Sequence, residues 1–173
     1  MAKLKFFEVE LSLIGKKVPI LGKNLEDLKD RRIIFDMTRE LNGKMAEAKF
    51  AVKIKDNKAY GDIVYFGLIQ NYARRLVRKG TSPVEDSFVA VSKDGFKLRI
   101  KPLLVTRKKV PRSIRRSLRK KARELITNFV EKNEKDKIFH SIINYIMQRQ
   151  IMIELKKIYP LLICEIRRIG VEK

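Results

Sequence analysis

The chain has 173 residues, 45% of them apolar, with 41 Lys and Arg against 20 Asp and Glu and a formal net charge of +21. That apolar content is enough for a packed core and excludes a disordered basic tail. The charge excess adds nothing to the stability of a compact domain and asks for an anionic partner: nucleic acid first, then membrane, then acidic protein. A single cysteine, Cys164, excludes an internal disulfide and a cysteine-based zinc site and fits a reducing cytoplasm. Met1–Phe7 lacks the apolar stretch and cleavage site of a secretory signal. The most apolar region, Ile138–Ile158, is interrupted by Asn144, Gln148, Arg149, Gln150, Glu154, Lys156 and Lys157, short of the roughly 20 residues of a bilayer span. The expectation is a soluble cytoplasmic protein.

In chain order, the first two-thirds reads mostly as strands. Arg32–Thr38 alternates, with Ile33, Phe35 and Met37 on one face, and Met45–Lys55 sets Phe50, Val52 and Ile54 against Lys49, Lys53 and Lys55. Asp56-Asn57 makes a turn and Ala59–Phe66 returns. Asn71–Lys79 reads as a short helix with Tyr72 and Leu76 inward, ended by Gly80. A second hairpin runs out along Ser87–Ser92, turns at Lys93-Asp94-Gly95 and returns along Phe96–Thr106. On the returning strand Phe96, Leu98 and Ile100 face a core while Lys97, Arg99 and Lys101 face away, and Pro102 predicts an edge or a bulge. After Pro111 a helix runs to about Lys132, with Ile114, Leu118, Leu125 and Phe129 as its buried stripe. A third helix spans about Lys135–Tyr159, stopped by Pro160, and Leu161–Ile169 is a last strand. The fold class is α+β, a largely antiparallel, barrel-like sheet with three flanking helices in a single domain over 1–173. Its parts are a divergent segment at 1–24, a β-rich part at 25–110, a helical part at 111–160 and a C-terminal strand at 161–173.

The charge is segregated. Residues 1–70 carry fourteen basic and ten acidic side chains, 71–132 nineteen and five, and 133–173 eight and five. From Arg99 to Arg123 there are twelve basic residues and no acid, whereas a merely solvated helix face interleaves Glu with Lys. Guanidinium groups grip phosphate bidentately and stack on bases. The candidate RNA-binding residues are Arg74, Arg75, Arg78 and Lys79, then Lys97, Arg99 and Lys101, then Arg107, Lys108 and Lys109, then Arg112, Arg115, Arg116, Arg119, Lys120 and Arg123. No helix-turn-helix, zinc finger or basic zipper is present to read a major groove, and neither the aromatic signature of an RRM sheet nor the GxxG loop of a KH domain occurs. What remains is a phosphate-gripping surface suited to folded RNA.

Catalytic candidates are thin. His140 is the only histidine and sits in an apolar helix; Cys164 reads as a small core residue; Glu85-Asp86 reads as a turn or a charge partner for a nearby Arg. The glycines are scattered rather than gathered into a phosphate loop, and no metal constellation or cofactor motif is found. An enzyme acting on RNA would have only Glu85, Asp86 and Asp94 to use. An RNA chaperone outside any assembly stays open as a second reading, and peripheral membrane binding as a third.

The run Arg75-Leu-Val-Arg-Lys-Gly-Thr-Ser82, then Asp86-Ser-Phe88, then Ser92-Lys-Asp-Gly-Phe-Lys-Leu-Arg-Ile-Lys-Pro102, resembles a signature block of one ribosomal protein family. Val105-Thr-Arg-Lys108, Ile114–Ile126, Ile158-Tyr-Pro-Leu161 and Glu165-Ile-Arg-Arg168 match it too, in order. This is the small-subunit family shared by archaea and eukaryotes but not bacteria, called S-one-e or S-three-a-e. The resemblance runs from about Leu25 to the C-terminus and is strong from Leu76 onward. It implies a structural, non-enzymatic constituent of the small subunit that binds rRNA on the platform near the mRNA exit. The implied partners are that rRNA, neighbouring small-subunit proteins and mRNA at the exit, with no membrane, no small-molecule substrate and no cofactor. Arg74, Arg75, Arg78, Arg99, Arg115, Arg116 and Arg119 fall on basic positions of the family blocks. The family's longer basic N-terminal extension has no counterpart beyond Met1–Phe7, and the chain reads as archaeal.

Overall fold

The structure, a computed structural model, describes residues 4–41, 43–55 and 58–172. It opens with a hairpin, β1 (Lys5–Leu11) and β2 (Lys16–Gly22), inside the segment that the sequence leaves unassigned. Val9 and Leu11 are fully buried while Glu8 and Glu10 are exposed, the alternation of a half-buried strand. After a single 3-10 turn at Glu26–Leu28 come β3 (Arg32–Asp36), β4 (Ala46–Lys55) and β5 (Lys58–Leu68). β4 and β5 pair as the expected hairpin; the Asp56-Asn57 turn itself lies outside the described residues. Helix α1 (Gln70–Leu76) leads to β6 (Pro83–Glu85), β7 (Phe88–Val91) and β8 (Lys97–Thr106). Helices α2 (Arg112–Lys132), α3 (Lys135–Ile143) and α4 (Ile146–Lys156) precede the last strand, β9 (Leu161–Val171).

The nine strands form one sheet that is α+β in setting and mostly antiparallel, but open rather than closed into a barrel. β5 pairs with β4 along one side; on its other side it meets β1 in parallel at Ala59–Gly61 and β9 antiparallel at Tyr65–Gly67. β9 continues against β8, whose far side is shared by β7 and β6. Pro102 falls between the β7 and β6 pairings, and the register with β9 shifts at Lys101/Pro102. Its missing N–H therefore sits at a bulge of an interior strand and not at an edge.

Four helices stand where three were expected. The apolar run after Lys135 buries Ile138, Phe139 and Ile142, then Met147, Ile151 and Leu155. On a continuous helix at 100° per residue those two sets would face nearly opposite directions, so one helix cannot place both in a single core. The chain resolves this with a break at Asn144-Tyr145, where Tyr145 takes a left-handed φ of 61°. The Tyr145 hydroxyl donates to the Cys164 carbonyl at 3.1 Å, and Lys44 Nζ lies 4.1 Å from the ring centroid. The Gln148 side-chain amide donates to the Ile142 carbonyl at 2.8 Å, meeting one of the acceptors freed at the end of α3. Helix α1 is also shorter than expected: Val77 is already extended, and Gly80, at φ 86°, belongs to a later turn.

The core lies between the sheet and helices α2 to α4. Leu118, Ala122, Ile126 and Val130 of α2 share one buried cluster with Phe50, Phe66, Leu98, Ile100, Leu104, Ile166 and Ile169 of the sheet. Of the predicted α2 stripe, Leu118 is fully buried, and Ile114, Leu125 and Phe129 flank it half-buried. Phe96, expected inward, is 42% exposed and lies beside the Lys135 ammonium, 5.2 Å from the ring centroid. The Asp94 carboxylate from the hairpin turn accepts the Lys135 N–H at 3.1 Å, capping α3 across forty-one residues of sequence.

Candidate nucleic-acid interface

The most basic stretch is held by a small buried hydroxyl network. Thr106, at the end of β8, is fully buried; its Oγ1 accepts the Ser82 N–H at 3.1 Å and donates toward the carbonyls of Ser82 and Lys108. The Ser82 hydroxyl in turn accepts the Val110 N–H at 3.2 Å. Val110 is buried, so the Arg107–Pro111 loop is anchored at both ends while Arg107, Lys108 and Lys109 are exposed between.

Pro111 then starts α2 without a side-chain cap, and the first turn holds Arg112 and Arg115 but no acid. Cations at this end oppose the helix dipole, an arrangement that each bound phosphate would reverse. Arg112, Arg116 and Lys120 follow one another at four-residue spacing on a single exposed row. Among the described residues none of the three forms a salt bridge. Beside that row, Arg119 Nε donates to the Glu85 carbonyl at 3.1 Å, and Arg123 grips the Asp86 carboxylate bidentately at 2.9 and 3.0 Å. Arg167 pairs with Glu85 at 3.0 Å. Glu85-Asp86 thus serves as the charge partner that the sequence suggested, and Arg123 works mainly as a clamp between α2 and the β6–β7 connection. Arg115 is only half-exposed, with its Nε buried.

Of the remaining candidates, Arg74, Arg99 and Lys101 line adjoining clefts beside this region. Arg74, Arg75, Arg78 and Lys79 are all exposed at and beyond the C-terminal end of α1. Arg74 lines a cleft of about 280 Å³ with Val77, Glu85 and Arg167. Glu85 and Arg167 also border a second, of about 540 Å³, shared with Lys101 and Arg119. Lys101 in turn borders a third, of about 240 Å³, with Tyr65, Arg99, Arg168 and Gly170. Side chains from segments far apart in sequence therefore line one path of adjoining clefts, joined through Glu85, Arg167 and Lys101. Lys97 and Arg99 are exposed on β8; Arg99 is ion-paired with Glu172.

Tyr65, Arg167 and Arg168 line this path but were missed in the sequence, because strand residues outside a charge run carry no local sign of which neighbours they will meet. The Arg-Arg pair in the last strand was the one available signal.

A separate charged cluster is structural. Lys135, only 7% exposed at its side chain, bonds the Asp62 carboxylate, which Lys53 also approaches. Burial alone would raise the Asp62 carboxyl, but the hydrogen bonds from Lys135 and Lys53 outweigh it and hold the group below its ordinary value. Glu165 goes the other way: burial raises its carboxyl despite Lys44 at 2.7 Å. Burial also pushes the Cys164 thiol up to about 12, so it stays an unreactive thiol in the core. His140 is exposed on α3 beside Asn144. Among the described residues no group of three or more His, Cys, Asp or Glu side chains gathers to hold a metal, and no helix is long and apolar enough to cross a membrane.

Against known proteins, residues 13–173 match the Ribosomal S3Ae family. One relative is the Small ribosomal subunit protein eS1 of Haloarcula marismortui, 25% identical over 154 residues that cover 88% of this chain and 70% of that protein. Its counterpart in Halorubrum lacusprofundi is 29% identical over 164 residues, covering 88% and 74%. The protein of the same name in Pyrobaculum islandicum is 28% identical over 141 residues, covering 81% and 64%.

Proposed function

The chain belongs to the Ribosomal S3Ae family, and from that premise we propose that it is a structural constituent of the small ribosomal subunit. It binds rRNA on the platform near the mRNA exit and supports translation there without catalysing a reaction. Its partners are the rRNA, neighbouring small-subunit proteins and mRNA at the exit, in the cytoplasmic ribosome.

The observation that carries this reading is the exposed row Arg112, Arg116 and Lys120 at the positive end of α2, with no acid in the first turn. A folded domain that needed only solubility would place Glu there. Ser82 and Thr106 anchor the loop that leads into this row. If six of the exposed cations neutralise phosphates, affinity falls roughly a thousandfold over a fourfold rise in salt.

The test is sedimentation of native lysate on sucrose gradients at low and high salt. Stoichiometric migration with the small subunit through the salt wash supports the proposal. Retention at the top of both gradients refutes it and favours an RNA chaperone acting outside the ribosome.

A further inference from the structure

The sheet face turned away from the helices carries an aromatic platform that the basic helix does not use. Tyr65 on β5 stands opposite Lys49 of β4 and Gly170 of β9, and Gly67 stands opposite Arg168. Across the next ladder Gly170 faces Arg99 and Arg168 faces Lys101. Residues opposed in this way project from one face of a sheet. The Tyr65 ring lies down along that face. A Cβ placed on Gly67 would come within 2.5 Å of the Tyr65 hydroxyl and 2.9 Å of Cζ, and one on Gly170 within 3.3 Å of Cδ2. Two glycines therefore let one face of the ring rest on backbone, and the Lys49 ammonium lies over the ring. Lys49 Nζ sits 4.9 Å from the ring centroid.

The charges beside the ring are unbalanced. Lys101 and Arg168 are directly opposed like charges, which costs stability, and among the described residues neither has a salt-bridge partner. Arg168 Nε is buried without a hydrogen bond from the described residues. The acids on this face include Asp36 and Glu47, in register with Gly67, and Glu172, already taken by Arg99. The cleft over these side chains is shallow and formed by interior strands, so an added peptide strand has no free edge to pair with.

We infer that this face binds single-stranded RNA, with one unpaired base stacked on Tyr65 in place of the Lys49 ammonium and the flanking phosphates met by Lys101 and Arg168. Aromatic stacking beside a basic groove is how sequence-tolerant single-strand sites work. The inference rests on the RNA-binding role proposed above and deepens it at the sheet-face clefts beyond the α2 row, for an unpaired rather than folded ligand.

The test is fluorescence anisotropy of the full chain with labelled oligouridine of about eight nucleotides and with a fully paired RNA hairpin. Tyr65→Leu should weaken oligouridine binding about tenfold and Tyr65→Phe no more than about twofold, with hairpin binding unchanged. Lys101→Gln, at a side chain with no internal partner, should weaken the single strand by about threefold and keeps the test independent of any loss of fold in Tyr65→Leu. Equal affinity of the wild type and Tyr65→Leu for oligouridine overturns the inference, as does polyglutamate competing as well as unlabelled oligouridine. Hairpin binding without oligouridine binding overturns this inference alone; binding of neither RNA counts against the ribosomal role as well.

Discussion

Replacing Arg112, Arg116 and Lys120 together by Gln separates RNA binding from stability more sharply than any other change. The three side chains are exposed, form one row along α2 and have no salt bridge among the described residues, so their removal breaks no internal contact of that kind. Gln matches Arg and Lys in helix propensity, and taking positive charge from the uncapped start of α2 relieves its opposition to the helix dipole by a few tenths of a kcal/mol. The melting temperature should therefore stay level or rise slightly. Binding should respond in the opposite sense. Each neutralised phosphate contributes about 0.7 to 0.9 to the slope of log affinity against log salt, so three lost contacts lower that slope by about 2 to 3. Over a fourfold salt range this amounts to roughly 20- to 40-fold of the salt sensitivity. Filter binding to small-subunit rRNA fragments between about 50 and 200 mM salt measures it. The control is Lys17→Gln, Lys121→Gln and Lys157→Gln, whose ammonium groups already face Glu8, Glu124 and Glu154. A slope unchanged in the first triple variant, or lowered equally in the control, would refute the argument that the α2 row meets phosphate.

Thr106→Val keeps the shape of a fully buried side chain but leaves the Ser82 N–H without its acceptor; about 1–3 kcal/mol of stability should be lost by urea unfolding, with faster hydrogen exchange along 107–110. Asp62→Asn should cost about 3 kcal/mol, because it leaves the buried Lys135 ammonium with only the exposed Asp136 carboxylate at 3.6 Å. The wild type should also lose stability on acidification more steeply than this variant. The Asp62 carboxyl is held low in the fold, so its contribution is present above the ordinary carboxylate range and disappears as pH falls through the lowered value. The Glu165 carboxyl, raised by burial, has the opposite sign: its contribution is present at low pH and fades as pH rises through its raised value. Gly61→Ala should destabilise by about 1–3 kcal/mol in the same assay, since its Cβ would meet Leu11 Cδ2 at 2.6 Å and Phe50 Cβ at 3.3 Å where β1 crosses β5.

By itself the sequence determined what depends on neighbouring residues. The alternation of Leu98 and Ile100 with Lys97, Arg99 and Lys101, the turn at Lys93–Gly95, the helix opened by Pro111 and the segregation of charge into 71–132 were all legible, because backbone geometry and solvent exposure act over a few residues. The break at Tyr145 was half-legible. The wide apolar arc after Lys135 was visible, but it takes a single core to show that Ile142 and Met147 cannot share one helix. Only the tertiary structure decided that β9 would enter between β5 and β8, and with it that Tyr65, Arg99 and Arg168 would meet. Strand pairing over a hundred residues is selected by how the whole apolar set closes against α2 to α4, and local periodicity carries no record of which strand lies next to which. The same holds for Asp86 on Arg123 and Asp94 on α3. The sequence offered Asp86 as a partner for some nearby Arg and Asp94 as a turn residue, and only the sheet brought their actual partners within reach.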